Sequence, residues 1–139
     1  MEIVIDKNKI ISDLHRVSAH LGMKLSAPEL VASTADDVVK IEIMLSASLV
    51  ELLKLLTPYA TLEHSDNAVT YKLDMPANWR AGRMENLVAL CDNFLVHSLF
   101  ARWLDFVNSD CAALYRALNA ENASAITHIL SLREKPQRD

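Results

Sequence analysis

The stretch GRMENLVALCDNFLVHSLFARWLDFV, residues 82–107, carries the strongest structural signal in the sequence. Apolar residues recur along it at the three- and four-residue steps of one helix face, at positions 84, 88, 91, 95, 99 and 103. Phe94, Val96, Phe100 and Leu104 extend the apolar surface beyond a single stripe. The pattern therefore predicts a long helix that needs more than one partner to cover it.

A second long helix is predicted before it. The segment Thr34-Ala35-Asp36-Asp37 is typical of a helix start, because a hydroxyl caps free N–H groups and carboxylates favour the positive end of the helix dipole. Asp36 and Asp37 could also be a carboxylate pair for acid–base or metal chemistry, but capping explains them with fewer assumptions. Apolar residues cover most of the following helix, which we expect to be central and to end near Thr57, before Pro58.

The N-terminal part predicts a shorter helix with one apolar face, formed by Ile10, Ile11, Leu14, Val17 and Leu21. Gly22 is expected to end this helix, since glycine is a common C-terminal cap. Residues 23–33, which include Pro28, are predicted to form a surface connection.

Between Thr61 and Met75 the apolar period changes from the helical spacing to two. Val69, Tyr71, Leu73 and Met75 alternate with polar residues, which predicts a strand. Residues 61–64 could pair with this strand across the turn at 65–67. An isolated hairpin is marginally stable, so it should pack on the helices or pair with a neighbouring subunit.

A last helical region is predicted from Asn108 or Ser109 to Leu130, either continuous or broken near Asn119 to Asn122. Residues 133–139 contain no apolar residue and are expected to form a flexible tail. The sequence therefore predicts a mainly α protein: a four- to five-helix bundle over residues 1–132, with a small β-hairpin between the second and third helices.

Composition limits the classes of function. With 139 residues, 51% of them hydrophobic and only 2 Gly, the chain suits one domain with a packed core. The formal net charge of -4 makes nucleic acid a poor partner. Cys91 and Cys111 form no C-x-x-C motif, and no run of about 18 uninterrupted apolar residues occurs, which favours a cytoplasmic protein and predicts no membrane association.

The residues with catalytic or metal-binding chemistry are scattered along the sequence. His15 and His20 are five positions apart and do not face one ligand, and His97 has no carboxylate or nucleophile placed as in a triad. Cys91 lies on the apolar line of the third helix as a small hydrophobe, whereas Cys111 in the first turn of the last helix is a weak nucleophile candidate. Two glycines cannot supply a phosphate-binding loop. We therefore predict no enzymatic activity, no cofactor, no metal and no small-molecule substrate.

Protein interfaces are the predicted sites of action. Trp79 and Arg80 lie together in the polar connection between strand and helix, a pairing typical of interface anchors, although Trp79 could equally form a lid over the core. Tyr71, Phe100 and Trp103 complete the set of interface candidates. The expected partners are other protein subunits, and the expected assembly is a homo-oligomer.

The order of elements resembles the small head-to-tail connector, or neck, proteins of long-tailed bacteriophages and prophages. The matching segments are Leu14 to Leu25, Ala35-Asp36-Asp37, Val38 to Leu56, Leu73-Asp74-Met75-Pro76, and Leu87 to Trp103. The basic, proline-containing C-terminus is similar to that of small prophage neck or tail structural proteins. The resemblance implies a structural subunit that assembles through head-to-tail contacts, as in a ring on a phage portal.

Two other classes of function stay open from the residues. One is a cytosolic adaptor or regulator that binds one protein partner through the third helix or the Trp79 loop. The other is a small helical enzyme whose site forms between helices or subunits, with Cys111, His97 or the Asp36-Asp37 pair as candidates.

Overall fold

A computed structural model describes residues 1–24, 37–65, 67–107 and 109–133 of the chain. Within them the fold is mostly helical, with a small antiparallel sheet, as predicted. The helices are α1 (Lys7–Lys24), α2 (Val38–Leu56), α3 (Met84–Val107) and α4 (Ser109–Ser131), and the strands are β1 (Glu2–Asp6), β2 (Ala60–His64) and β3 (Ala68–Leu73).

The sheet has three strands in the order β1-β3-β2, with β3 in the centre. Ile3 of β1 and Leu62 of β2 lie opposite Tyr71 of β3 from its two sides. The prediction of a lone hairpin between the second and third helices was therefore wrong. The sheet is complete before the third helix begins, and it draws a strand from the N-terminus, which pairs with the edge of β3 that a hairpin would leave open.

The residue between β1 and α1 links the two elements. Asp6 ends β1, and its Oδ1 accepts hydrogen bonds from the backbone N–H groups of Asn8 (3.0 Å) and Lys9 (3.3 Å). These are N–H groups of the first helical turn, which have no partner within the helix. Asp6 therefore caps α1 directly after the strand.

Helix α2 has the predicted extent. Thr57 at its C-terminal end has extended backbone angles, and both its N–H (2.9 Å) and its hydroxyl (2.8 Å) donate to the carbonyl of Leu53. Extended geometry is what Pro58 imposes on the residue before it. At the other end Asp37 occupies the N-cap position without a side-chain capping hydrogen bond. The rest of the predicted capping segment lies outside the described residues.

The predicted apolar line of α3 is buried at Cys91, Leu95, Leu99 and Trp103. Its first two positions, Met84 and Val88, are half-buried, and Leu87 beside them is buried. This helix packs most extensively on α4 and also contacts α2 and α1, so the several partners expected from its sequence are present. Among the described residues, Ala81–Asp105 is also long and apolar enough by composition to cross a membrane, and 56% of its apolar window is buried inside the protein, as in a core helix.

The structure differs from the predicted end of the first helix and decides between the two alternatives for the last one. Helix α1 continues past Gly22 to Lys24, and α4 runs without a break through Asn119 to Asn122. Asparagine and glycine are unfavourable inside helices by only about 1 kcal/mol or less, which tertiary packing readily offsets. The predicted connection around Pro28 lies outside the described residues.

The C-terminal end of α4 is fixed by Arg133, which the sequence assigned to a flexible tail. The Arg133 guanidinium donates to the carbonyls of Leu130 (2.7 Å) and Leu132 (2.8 Å) and to the hydroxyl of Tyr59 (3.0 Å). Arg133 also lies over the Tyr59 ring at 5.8 Å. These contacts tie the end of α4 to the connection between α2 and β2, while residues 134–139 lie outside the described part of the chain.

Candidate functional site

Four of the five predicted interface residues belong to the core of the chain. Tyr71, Trp79, Phe100 and Trp103 are buried, and only Arg80 is exposed. They cannot act as surface anchors of this protomer, because each is already covered by its own chain. Large aromatic side chains contribute most when buried, and no periodicity distinguishes a core aromatic residue from an interface one.

Trp79 forms the lid that was the alternative to an interface anchor. It is 4% exposed, and its indole N–H donates to the carbonyl of Ile129 at 2.9 Å. Its backbone N–H donates to the carbonyl of Pro76, also at 2.9 Å, within the turn that follows β3. The side chain therefore attaches the connection between β3 and α3 to the last turn of α4.

Tyr71 attaches the sheet to α2 in a similar way. Its hydroxyl donates to the carbonyl of Leu49 at 2.7 Å, and the side chain is fully buried. Burial raises the pKa of the Tyr71 hydroxyl far above its usual value, so this hydroxyl stays protonated and continues to donate. The residue is a structural link and not an exposed contact.

Among the side chains that the structure describes, the catalytic candidates do not come together. Burial raises the pKa of the Cys91 thiol to about 12, and the negative charge of Asp92 acts in the same direction, so the thiol is protonated near neutral pH. His97 accepts a hydrogen bond through Nδ1 from the Asn122 amide at 2.8 Å. The side chain of Cys111 is not among those that the structure describes. Among the described residues no group of three His, Cys, Asp or Glu side chains could hold a metal ion.

A polar cluster between α2 and α3 is the main feature that the sequence interpretation missed. The hydroxyls of Ser48 and Ser98 are 2.9 Å apart, Ser98 Oγ is 3.2 Å from Glu51 Oε2, and Arg102 pairs with the other oxygen of the same carboxylate. Each hydroxyl has one proton. Ser48 therefore shares its proton between Ser98 and the Met44 carbonyl 3.1 Å away, while Ser98 donates to Glu51. The three- and four-residue spacing within each helix is the signal that could have revealed the cluster.

An open polar cleft of about 250 Å³ borders this cluster and reaches α4. Its lining includes the Glu51–Arg102 pair and a second ion pair between Asp105 and Arg116. The four charges neutralise one another, and the described residues that line the cleft include neither a histidine nor a cysteine. The arrangement joins three helices through polar side chains.

The outer face of α2 is apolar and exposed. Val39 and Ile43 are each 67% exposed and Val50 is 47% exposed, and their spacing places them on one side of the helix. These three residues are called the α2 stripe below. The small residues Ser46 and Ala47 lie between its two halves, which leaves the face open for another chain to approach closely.

A groove of about 270 Å³ runs beside the α2 stripe, between α2, the start of α1 and the turn before β3. Ile11, Leu45 and Leu49 contribute apolar lining, whereas Lys7 and Glu42 contribute charged groups. Ser46 of α2 is exposed and also lines the groove, so the stripe and the groove form one continuous surface. The surface combines apolar contact area with a recess for an inserted side chain.

Comparisons with known proteins give no relative: no protein-family model, curated protein or solved structure matches this chain.

Proposed function

We propose that this chain is a non-enzymatic structural subunit that acts by binding other protein subunits through the α2 stripe. The observation that carries the proposal is the exposure of Val39, Ile43 and Val50 on one face of the central helix. Contiguous exposed apolar surface on a small domain commonly marks a protein-binding site. The other large exposed apolar residues include Val4 and Leu114, which lie on other elements.

The energetics favour an interface at this face. Covering a fully exposed valine or isoleucine side chain contributes roughly 1.5–3 kcal/mol, so a partner that covers the stripe gains a substantial part of that value at each of three positions. The exposed parts of these three side chains contribute no hydrophobic stabilisation to the monomer. The groove beside the stripe adds a recess in which a partner side chain can be desolvated, as at the energetic centres of protein interfaces.

The biological setting that we propose is the assembly of a phage or prophage particle, at the head-tail connector or in the tail. The resemblance that suggests this role includes the long apolar helix over Val38 to Leu56 as a central feature. A ring or neck subunit needs a surface that contacts a different surface of its neighbour or of the portal. The α2 stripe is suited to one side of such a contact.

Co-expression with the products of the adjacent genes tests this proposal. We expect native mass spectrometry to detect a complex with a capsid, portal or tail protein, and Ile43→Asp to abolish it. Leu114→Asp is the matched control, because Leu114 is 61% exposed on α4 and the substitution adds the same charge away from the stripe. A complex that survives Ile43→Asp, or adjacent genes unrelated to particle assembly, would count against the proposed function.

A further inference from the structure

We infer that the outer edge of β2 pairs antiparallel with the β2 edge of a second copy of the chain, which joins two three-stranded sheets across a two-fold axis. The β2 edge is separate from the α2 stripe, so this contact goes beyond the proposed function. Three features of the sheet support it: the direction of its backbone groups, the side chains on each of its faces, and the charges at its two edges.

Within the described part of the chain, both edges of the sheet present backbone groups that have no strand partner, because β3 lies in the centre. At the start of β2 the Tyr59 carbonyl accepts a hydrogen bond from the Asp74 N–H (2.8 Å). At its end the Ser65 N–H donates to the Ala68 carbonyl (2.9 Å). Backbone groups alternate in direction along a strand, so every second residue between these two bonds points away from β3. These residues are Ala60, Leu62 and His64.

The side chains at the β2 edge suit a symmetric pairing. Leu62 lies opposite the buried Tyr71, so its side chain is on the core face of the sheet, where it is half-buried. A two-fold axis at Leu62 sets this residue opposite Leu62 of the second copy, and all three outward-pointing residues then exchange hydrogen bonds with the other strand. The core faces of both sheets lie on the same side, so the two leucines cover each other.

Charge does not oppose this pairing. Thr61 and Glu63 are exposed on the outer face of the sheet, and the two-fold axis sets each Thr61 opposite Glu63 of the other copy. Glu63 is already paired with Lys72 of its own sheet at 2.9 Å. On the core face, Ala60 lies opposite His64 of the other copy. No two like charges are therefore directly opposite each other.

The edge of β1 does not allow the same pairing. The Leu73 N–H donates to the Met1 carbonyl (2.8 Å), so Met1 faces β3, and by alternation Glu2, Val4 and Asp6 point away from it. A two-fold axis at Val4 would set Glu2 opposite Asp6 of the other copy, twice by symmetry. Both carboxylates belong to exposed residues. Like charges directly opposite each other destabilise strand pairing, and such charges commonly protect the edges of sheets.

A head-to-tail contact between β1 of one copy and β2 of the next is the alternative. The outward-pointing residues have their side chains on the outer face in β1 but on the core face in β2. Only a parallel pairing would therefore keep the core faces of both sheets on the same side. Parallel strands are slightly less stable per residue than antiparallel ones, which favours the two-fold pairing. That pairing also closes after two copies.

Substitutions at Thr61 test the two-fold pairing on the purified full-length protein. Thr61→Glu sets a new carboxylate opposite Glu63 of the other copy, twice by symmetry, whereas within its own sheet this carboxylate lies opposite Lys72. Thr61→Lys sets an ammonium group opposite the same Glu63. We expect sedimentation equilibrium to detect a dimer, with a dimer Kd about fivefold higher for Thr61→Glu and about fivefold lower for Thr61→Lys.

Val4→Glu is the matched control at the other edge, because Val4 is 60% exposed on the same face of the sheet. It should leave the dimer Kd unchanged. Weakening by Val4→Glu as well as by Thr61→Glu would identify the head-to-tail contact and overturn the inference. A dimer Kd that neither Thr61 substitution changes would also overturn it, and loss of that dimer in Ile43→Asp would place the contact at the α2 stripe.

A chain that stays monomeric up to about 1 mM would overturn the inference and leave a strand of a different protein as the candidate occupant of the β2 edge. The proposed function is decided separately, by the complex with adjacent gene products and its dependence on Ile43. Thr61→Glu should leave that complex intact, so failure of the dimer and failure of the proposed function are distinguishable.

Discussion

Each face of α2 includes residues that depart from the usual distribution of polarity. The inner face includes Ser48, which is fully buried against α3, while the outer face exposes Val39, Ile43 and Val50 to solvent. The hydroxyl is accommodated inside because it has hydrogen-bond partners, which a buried polar group needs. Nothing within the monomer gives a corresponding reason for the exposure of the two valines and the isoleucine. Folding explains the inner face, and we propose that binding explains the outer face.

Physical magnitudes support this division. A buried hydroxyl without a partner costs about 1–3 kcal/mol, and the contacts of Ser48 with Ser98 and with the Met44 carbonyl avoid that cost. Replacing an exposed apolar residue usually changes the free energy of unfolding by no more than about 0.5 kcal/mol. Substitutions on the two faces should therefore separate cleanly into those that affect folding and those that affect binding.

The largest effect is expected at Trp79. This residue is buried, like the inner face of α2, and it contacts the end of α4. Trp79→Ala should lower the free energy of unfolding by about 4 kcal/mol, because it leaves a cavity and removes the hydrogen bond to the Ile129 carbonyl. Arg80→Ala, at the exposed neighbour, should have little effect. Urea denaturation followed by circular dichroism measures both. Equal stability of the two variants would show that the indole is not part of the core.

A matched pair on α2 itself gives the next largest effect. Leu52→Ala on the buried face should reduce the free energy of unfolding by about 3 kcal/mol, since Leu52 is fully covered by the core. Ile43→Ala on the stripe should change it by less than about 0.5 kcal/mol. The same denaturation experiment compares the two. A large loss at Ile43 would mean that the outer face is covered within the chain, and the comparison between the two faces would fail.

The Ser48–Ser98 pair tests the inner face of α2 further, with a smaller expected change in the free energy of unfolding. Ser48→Ala and Ser98→Ala should each cost about 1 kcal/mol. The double variant should cost less than the sum, because either single variant already removes the contact between the two hydroxyls. Ser124→Ala is a control at an exposed position on α4. A double-mutant cycle measures the coupling energy. Strict additivity would show that the two hydroxyls do not interact.

The sequence predicted those elements whose periodicity is long and uninterrupted. Helices α2 and α3 and the pairing of β2 with β3 are found close to their expected positions. Strand β1 was missed because five residues, Glu2–Asp6, give only two buried positions, Ile3 and Ile5. An alternation this short identifies a strand only when the partner strand is known, and the partner of β1 lies more than sixty residues away in the sequence.

The candidate surface was predictable only in part. The sequence indicated that apolar residues cover most of α2, but the spacing alone does not show that Ser48 belongs to the core. The structure buries Ser48, because Ser98 arrives from α3 to meet its hydroxyl. Which side of a nearly apolar helix faces solvent is set by such tertiary contacts, and local spacing does not contain that information.

The smallest predicted effect concerns pH and the contact between α3 and α4. Burial lowers the pKa of His97 below its usual 6.5, and its Nδ1 accepts a hydrogen bond from Asn122 that protonation would break. The unfolded chain then binds the proton more readily than the folded one, so the stability that His97 contributes is present above about pH 6.5 and is lost as the pH falls from there through the lowered native pKa.

His97→Gln should therefore reduce the loss of stability between pH 7.5 and pH 5.5, as measured by urea denaturation at each pH. The imidazole is partly open to solvent, so we expect a difference below about 1 kcal/mol. His128→Gln is the control, since His128 is exposed on α4 and should keep the wild-type dependence. Asp92, whose pKa is raised by burial, contributes stability that is lost as the pH rises through its own pKa, the opposite sense to His97. An unchanged pH dependence in His97→Gln would show that the imidazole is as easily protonated in the folded protein as in the unfolded chain, and that the contact with Asn122 does not depend on its neutral form.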